Sequence, residues 1–393
     1  MGIFSWHKKK NKLVLAFDVG SSSVGGTLFY VSSSGIPRII LAVRELIPFQ
    51  ESFSVGKFLS SAMRSLEMVA GKIHKTALGR PEAIFCVLSS PWHVSQTRVI
   101  RLEKNTPFVF TSKLADDLIQ KEIVLFEEEY LKKYRDAKSP VRSIEFKNIK
   151  TMLNGYETSN PINQKTKELE MTVFISISPE QVLKKMEKMI KKYFHHDEVK
   201  FSSFSLASFA VVRDIYAHNE DFLLIDIGGE MTDISMVKKN TLRESISFPL
   251  GSNFIARKVA SLLHLPLGEA QSFVSLFEGG HATESVSGKI GIVMDQLKKE
   301  WLSQFQESLA NLSNDISIPS TIYINVGKNE ANFFAQTIEN EQFNQYTLTE
   351  SKFKIVFLDE KIFHGMAVLD KNIICNPNLI IDSIFICRFL IKV

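Results

Sequence analysis

Strand-length apolar runs broken by single polar residues set the rhythm of this chain. LVLAFDVGSSSVGGTLFYV, residues 13–31, is an apolar run carrying one carboxylate at Asp18, then a small-residue turn, then a second apolar run. Runs of Val, Leu, Ile and Phe that end on Gly or Ser read as buried strands, so the stretch predicts a hairpin. FLLIDIGGEMTDISMV, residues 222–237, repeats it, with Asp226 matching Asp18 and Gly228 matching Gly20. A further turn (32–35 and 238–240) and a third strand follow each copy. A recurring supersecondary unit predicts two similar halves. Two acidic turns facing each other would line one cleft.

The remaining pattern fills in around these units. The first half predicts strands over 13–18, 26–31, 38–46 and 83–88. Its helix over 55–76 carries Phe58, Leu59, Met63, Leu66, Val69, Ala70 and Ile73 on one face. From about Trp92 to Ser178 the character changes to a strand (94–102), a long charged helix from Ser112 to about Arg135, and strands over 143–153 and 168–178. The polar connection NGYETSNPINQKT joins the last two, so this stretch reads as an inserted module. A helix follows, with Ser178 as N-cap and Pro179 at its first position. The second half predicts strands over 223–227, 232–237 and 242–248, then helices over 252–263, 267–277 and 290–312. Next come the strand STIYINVG, a helix to Ile338, the strand FKIVFLD and a last helix, KIFHGMAVLD. The apolar tail from Asn378 carries Asp382, Arg388 and Lys392 and shows no helical stripe, so a strand, either closing the core or exposed for partner pairing, is expected over an interfacial segment. The expected organisation is a basic N-terminal segment (1–12), a first half (13–91 and 179–219), an inserted module (92–178), a second half (220–377) and an apolar tail (378–393).

Composition narrows the function classes. The 393 residues suffice for two or three domains with ample core. A net charge of +4 argues against a dedicated nucleic-acid binder. Cys86, Cys375 and Cys387 are scattered without CxxC spacing, which speaks against a disulfide framework or a zinc site. No apolar h-region follows the basic start and no run of ~20 apolar residues occurs, so neither a signal peptide nor a membrane-spanning helix is expected. The expected home is the reducing cytoplasm. Phe4 and Trp6 beside consecutive lysines form either a frayed basic terminus or a weak contact with an anionic membrane.

The acidic turns suggest chemistry. Backbone N–H groups of a tight Gly/Ser turn form an anion-binding concavity. Gly20 permits a close approach or a positive φ, and Ser21 and Ser22 add hydroxyl donors. Asp18 repels phosphate directly but suits the outer shell of Mg²⁺, which keeps waters and bridges phosphates. The same logic puts Asp226 on the metal side and Gly228, Gly229 and Thr232 on the phosphate side. A Walker A loop is absent, as is a GxGxxG that opens a helix after a strand.

Here the residues carry a resemblance. DVGSSS and DIGGEMTD, each inside a duplicated three-strand unit, resemble the two phosphate motifs of the actin, heat-shock chaperone and sugar-kinase superfamily. FSLASFAVV (204–212) resembles its first connecting helix and FHGMAVL its second. The inserted module, with NGYETSNP and KELEMTVFISIS, resembles the subdomain peculiar to the FtsA/PilM family of bacterial actin-like ATPases. SFPLGSNFIARKVA is similar to the segment that follows the second phosphate motif in FtsA. The resemblance spans about residues 13–370. It implies an α/β, actin-like (ribonuclease H-like, duplicated) ATPase fold with an inserted strand–helix–strand–strand subdomain. It implies ATP and Mg²⁺ as ligands, with Asp18 and Asp226 at the metal. Gly20, Ser21, Ser22, Gly228, Gly229 and Thr232 would hold the phosphates, and Gly327 and Lys328, in NVGKNE, the adenosine. No catalytic residue is assigned, and the resemblance implies a weak ATPase at most. Three positions depart from the family pattern. Glu230 stands where a small residue is usual, Gly327 stands without a second glycine, and Ser275 replaces a lysine.

Two roles follow from the resemblance. One is an FtsA-like scaffold in cell division, tethering FtsZ-type filaments near the membrane. The other is a PilM-like cytoplasmic platform for a type IV pilus complex, binding a peptide from a membrane protein on the inserted subdomain. A pseudo-ATPase scaffold is the limiting case of either. Self-association into dimers or filaments, and a place at the cytoplasmic face of the inner membrane, are also implied. A sugar or acetate kinase would need a substrate-binding domain and a base, and the short inserted module offers neither.

Overall fold

The computed structural model describes residues 12–31, 34–133, 140–312, 317–339, 341 and 352–391. The basic start, with Phe4 and Trp6, lies outside them, as does Arg135. The chain opens with β1 (Lys12–Val19), β2 (Ser23–Val31), β3 (Arg38–Leu46), α1 (Val55–Lys75) and β4 (Ala83–Leu88). The insertion follows as β5 (Val94–Val109), α2 (Ser112–Lys133), β6 (Val141–Leu153), the short β7 (Tyr156–Glu157) and β8 (Lys165–Pro179). Then come α3 (Glu180–Phe194), β9 (Lys200–Ser203) and α4 (Phe204–Ile215). The second half comprises β10 (Phe222–Ile227), β11 (Thr232–Lys238), β12 (Thr241–Phe248), α5 (Asn253–Leu263), α6 (Leu267–Glu278), α7 (Glu284–Leu312), β13 (Thr321–Asn325), α8 (Ala331–Glu339) and β14 (Lys354–Phe357). A 3₁₀ turn (Glu360–Phe363), β15 (Val368–Leu369) and α9 (Pro377–Phe385) close it, and α9 runs on as a π-helical turn (Ile386–Leu390).

The duplication holds in the sheets. One sheet has the order β15-β3-β2-β1-β4-β9, the other β12-β11-β10-β13-β14. In each, three antiparallel strands are extended by two parallel ones, β4 and β9 in the first and β13 and β14 in the second. The insertion is a separate antiparallel sheet, β5-β8-β6-β7, covered by α2 through Ile119, Ile123 and Phe126. The Lys239–Asn240 loop between β11 and β12 has positive φ at both residues, as a tight hairpin demands.

Strand periodicity assigns each face to a layer. Leu13, Leu15, Phe17 and Val19 of β1 pack under α1 and α3, while Val14 and Ala16 face the other way. In β10, Leu223, Ile225 and Ile227 pack against α5, α7 and α8, while Phe222 and Leu224 face the other way. The opposite faces meet in a central layer formed by α4 and α9. Gly25 and Gly26 of β2 let helices approach on both sides. A Cβ on Gly26 would sit 2.6 Å from Ile73 of α1, and one on Gly25 would sit 3.1 Å from Leu379 of α9.

Three sequence expectations are corrected. The apolar tail is a helix, not a strand, with Leu379, Ile380, Ile381, Ile384 and Phe385 all buried in the central layer. A helix enclosed on every side is apolar all round, which erases the stripe that would have revealed it. FHGMAVL is not the second connecting helix. That segment holds the end of the 3₁₀ turn and β15, which pairs in parallel with β3, and α9 packs against α4 instead. Ser178 does not cap α3, because its hydroxyl donates to the Trp92 carbonyl at 2.7 Å and Pro179 holds the cap position.

Candidate functional site

The parity that buries Val14 and Ala16 on one face of β1 turns Asp18 toward the same layer. The parity of Phe222 and Leu224 does this for Asp226. Both carboxylates border one crevice of about 1400 Å³. Gly20, Ser21, Ser22, Gly228, Gly327 and Lys328 border it too, from opposite walls. The two acidic turns are built alike. Gly20 N–H donates to the Ser23 carbonyl at 3.0 Å, and Gly228 N–H donates to the Met231 carbonyl at 2.9 Å. They also touch. Glu230 N–H donates to Ser21 Oγ at 3.1 Å, and a Cβ on Gly228 would lie 2.7 Å from that oxygen. Glycine is needed at Gly228 for close approach. At Gly20 the backbone is outside the positive-φ region, and an added Cβ would meet the Ser23 carbonyl at 3.3 Å.

Two predicted residues sit elsewhere. Thr232 is fully buried, its hydroxyl donating to the Leu250 carbonyl at 2.7 Å and accepting from Trp301 Nε1 at 3.3 Å. Gly229 is wedged against Ser22 and Asn253 rather than bordering the crevice. Each turn carries an indole, since Trp92 Nε1 donates to the Gly20 carbonyl at 2.7 Å. Glu230, one of the three departures from the pattern of the resembled family, turns away from the crevice. Its carboxylate pairs with Arg257 and accepts from Asn253 Nδ2 at 2.8 Å, so its charge is compensated outside the crevice.

Burial dominates the carboxylates. It pushes Asp18 up to about 6, with Arg44 opposing the rise. It pushes Asp226 up to about 8, helped by Asp233 directly across the β10–β11 ladder and opposed by a hydrogen bond from Asn325 Nδ2 at 2.6 Å. Asp18 Oδ1 has no hydrogen-bond partner. Asp382 of α9 is 0% exposed, with neither oxygen partnered, and burial raises its pKa well above the ordinary range. Asp233 accepts from Ser90 Oγ at 2.8 Å and from Ser247 Oγ, which ties the two halves together. Among the described residues no group of three or more His, Cys, Asp or Glu is arranged to hold a metal by itself. A cation here would depend on water or ligand oxygens as well.

Sequence reasoning missed Arg44, Asn325, Asn378 and Asp382. The first three border the crevice because of strand register and a distant helix start, neither of which a local motif records. Asp382 had a signal, a lone carboxylate inside an apolar run.

A second cavity, about 1130 Å³, lies where the inserted sheet and α2 meet α3, α4 and the π-helical turn. Ile123, Phe146, Phe201, Phe209 and Phe389 give it an apolar wall, with Arg142, Lys147, Lys191 and Glu127 around it. At its base Glu145 of β6 accepts from Ser176 Oγ at 2.8 Å, from Ser203 N–H at 2.9 Å and from the Ser203 hydroxyl. Ser203 in turn caps α4, its Oγ accepting from Leu206 N–H at 3.2 Å. Among the described residues no helix is long and apolar enough to cross a membrane.

No family model matches the chain, and no curated protein sequence matches it. Solved structures do. A chain of the PilM–PilN type IV pilus biogenesis complex aligns at 13% identity over 96% of each chain, with a TM-score of 0.59. The ethanolamine utilization protein EutJ from Carboxydothermus hydrogenoformans aligns at 11% identity over 95% of this chain and 89% of that one, with a TM-score of 0.41. A Bacteroides thetaiotaomicron protein described as having an actin-like ATPase fold and unknown function aligns at 9% identity over 98% and 99%, with a TM-score of 0.38. With the duplicated sheets and the inserted strand–helix–strand–strand unit, the likeness to the first of these gives the chain the actin-like ATPase fold.

Proposed function

We propose that this chain is a nucleotide-binding scaffold that takes ATP with Mg²⁺ in the crevice and serves as a cytoplasmic platform for a membrane-anchored partner in a pilus-type assembly. The observation that carries the nucleotide reading is the meeting of two matching acidic turns across one crevice. The residues fit a hydrated Mg²⁺. Asp18 keeps an unpartnered oxygen, Asp226 is held by Asn325, and a nearby cation would offset the burial that raises both pKa values. When bound, the ion would neutralise phosphate charge. Ser21, Ser22 and Gly228 would shape the phosphate end, and Gly327 and Lys328 the adenosine side. Turnover is weak at most.

The full-length likeness to a chain of the PilM–PilN complex supports the pilus role over the division role. The apolar-walled cavity beside the insertion suits an extended peptide from a membrane partner. The burial of α9 weakens a membrane attachment through the tail. Genes beside this one separate the two roles, since pilus genes favour the platform and division genes the filament tether.

Ligand linkage tests the site. At about 100 times its Kd, a ligand adds roughly 2.7 kcal/mol of stability. Mg-ATP should raise the Tm of the wild type, and Asp226→Ala should abolish the gain. An unchanged wild-type Tm in millimolar Mg-ATP would refute nucleotide binding.

A further inference from the structure

Arg44 has no assigned role, yet its position is specific. Strand register pairs Asp18 with Gly25 and Gly25 with Arg44, so the three form one row across β1, β2 and β3. Residues in one row share a face of the sheet. That face is the one on which Asp18 borders the crevice, and Arg44 borders it beside Gly20, Ser21 and Ser22. Gly25 contributes no side chain between the carboxylate and the guanidinium.

One bond orients the guanidinium, Nε donating to Ser23 Oγ at 2.8 Å. Among the described residues, its two terminal amino groups have no hydrogen-bond acceptor. The charges around the crevice make this matter. Its basic residues are Arg44 and Lys328, against Asp18, Asp226, Glu330, Asp359 and Glu360. Lys328 belongs to the Gly327 loop of the second half and faces Glu360 at 3.9 Å. On the first-half wall, Arg44 is the cation beside the Gly20–Ser22 turn. A guanidinium with two free amino groups matches a phosphate bidentately, which an ammonium cannot do.

We propose that Arg44 receives the terminal phosphate of a nucleotide in the crevice and makes the protein distinguish triphosphate from diphosphate. The proposal rests on the nucleotide reading above. Its test keeps the two separable by using three probes, Mg-ATP, Mg-ADP and inorganic tripolyphosphate, titrated calorimetrically into the full chain and its Arg44→Gln and Arg44→Lys variants.

The wild type should bind Mg-ATP more tightly than Mg-ADP. Arg44→Gln should weaken Mg-ATP at least tenfold and Mg-ADP much less, and Arg44→Lys should recover part of the difference. Variant melting temperatures close to the wild type would show that the fold survives. Equal losses for the two nucleotides, or no loss for either, would overturn the proposal. If the wild type bound tripolyphosphate through Arg44 but neither nucleotide, the nucleotide reading and this proposal would both fail, leaving Arg44 as an anion contact alone. Binding of none of the three probes would overturn both.

Discussion

Glu145 offers a quantitative test of how the insertion is joined to the rest of the molecule. Burial raises its pKa from the ordinary 4.5 to about 7, against hydrogen bonds from Ser203 and Ser176. The folded protein therefore holds a proton that the unfolded chain has released between these two pH values. Stability attached to this group is complete below about pH 4.5 and is lost as pH rises through 7. At about 1.4 kcal/mol per pH unit the loss amounts to roughly 3 kcal/mol. Solvent at the cavity edge screens part of that, so about 2 kcal/mol is expected. Glu145→Gln keeps an acceptor oxygen for Ser203 N–H and removes the charge. Urea unfolding from pH 5 to pH 8 should show the wild type losing stability relative to the variant, with the curves meeting near pH 5. Other titrating groups are common to both proteins and cancel in the difference. Parallel curves, or a variant weaker than wild type at pH 8, would refute this account.

Two further predictions concern packing. Gly26→Ala drives a methyl to within 2.6 Å of Ile73 and 2.7 Å of Val69, so stability should fall by about 1–3 kcal/mol in denaturant unfolding. An unchanged midpoint would mean that α1 can move away at no cost. Truncation after Asn376 removes α9 and the buried side chains it lends to the central layer. The shortened chain should be recovered aggregated, and a soluble, cooperatively melting product would contradict the central position of α9.

Much of the fold is legible because alternation and turn chemistry are local. The Asp18 and Asp226 hairpins, the face of α1 and the strands of the insertion follow from residues a few positions apart. β9 escapes notice because its four residues, KFSS, are too short to show a period. The KIFHGMAVLD segment looks helical by composition, yet Gly365 has a positive φ of 82° and the chain turns there toward β3. Within the site, Asp18 and Asp226 announce themselves as carboxylates at the ends of apolar strands. Thr232 misleads because its place in the motif suggests a phosphate contact, while its hydroxyl is spent on Leu250 and Trp301. The outward turn of Glu230 depends on Arg257 of α5, two strands further along the chain, which no local motif links to it.

Trp92 and Trp301 are the tryptophans of the described residues, and each indole nitrogen is bonded to a different acidic hairpin. The molecule thus carries a built-in optical reporter on either side of its cleft. With Trp6 replaced as well, exchanging one of these two rings for phenylalanine leaves emission that watches a single side. Movement of the two sides could then be followed separately in unlabelled protein, without any dye.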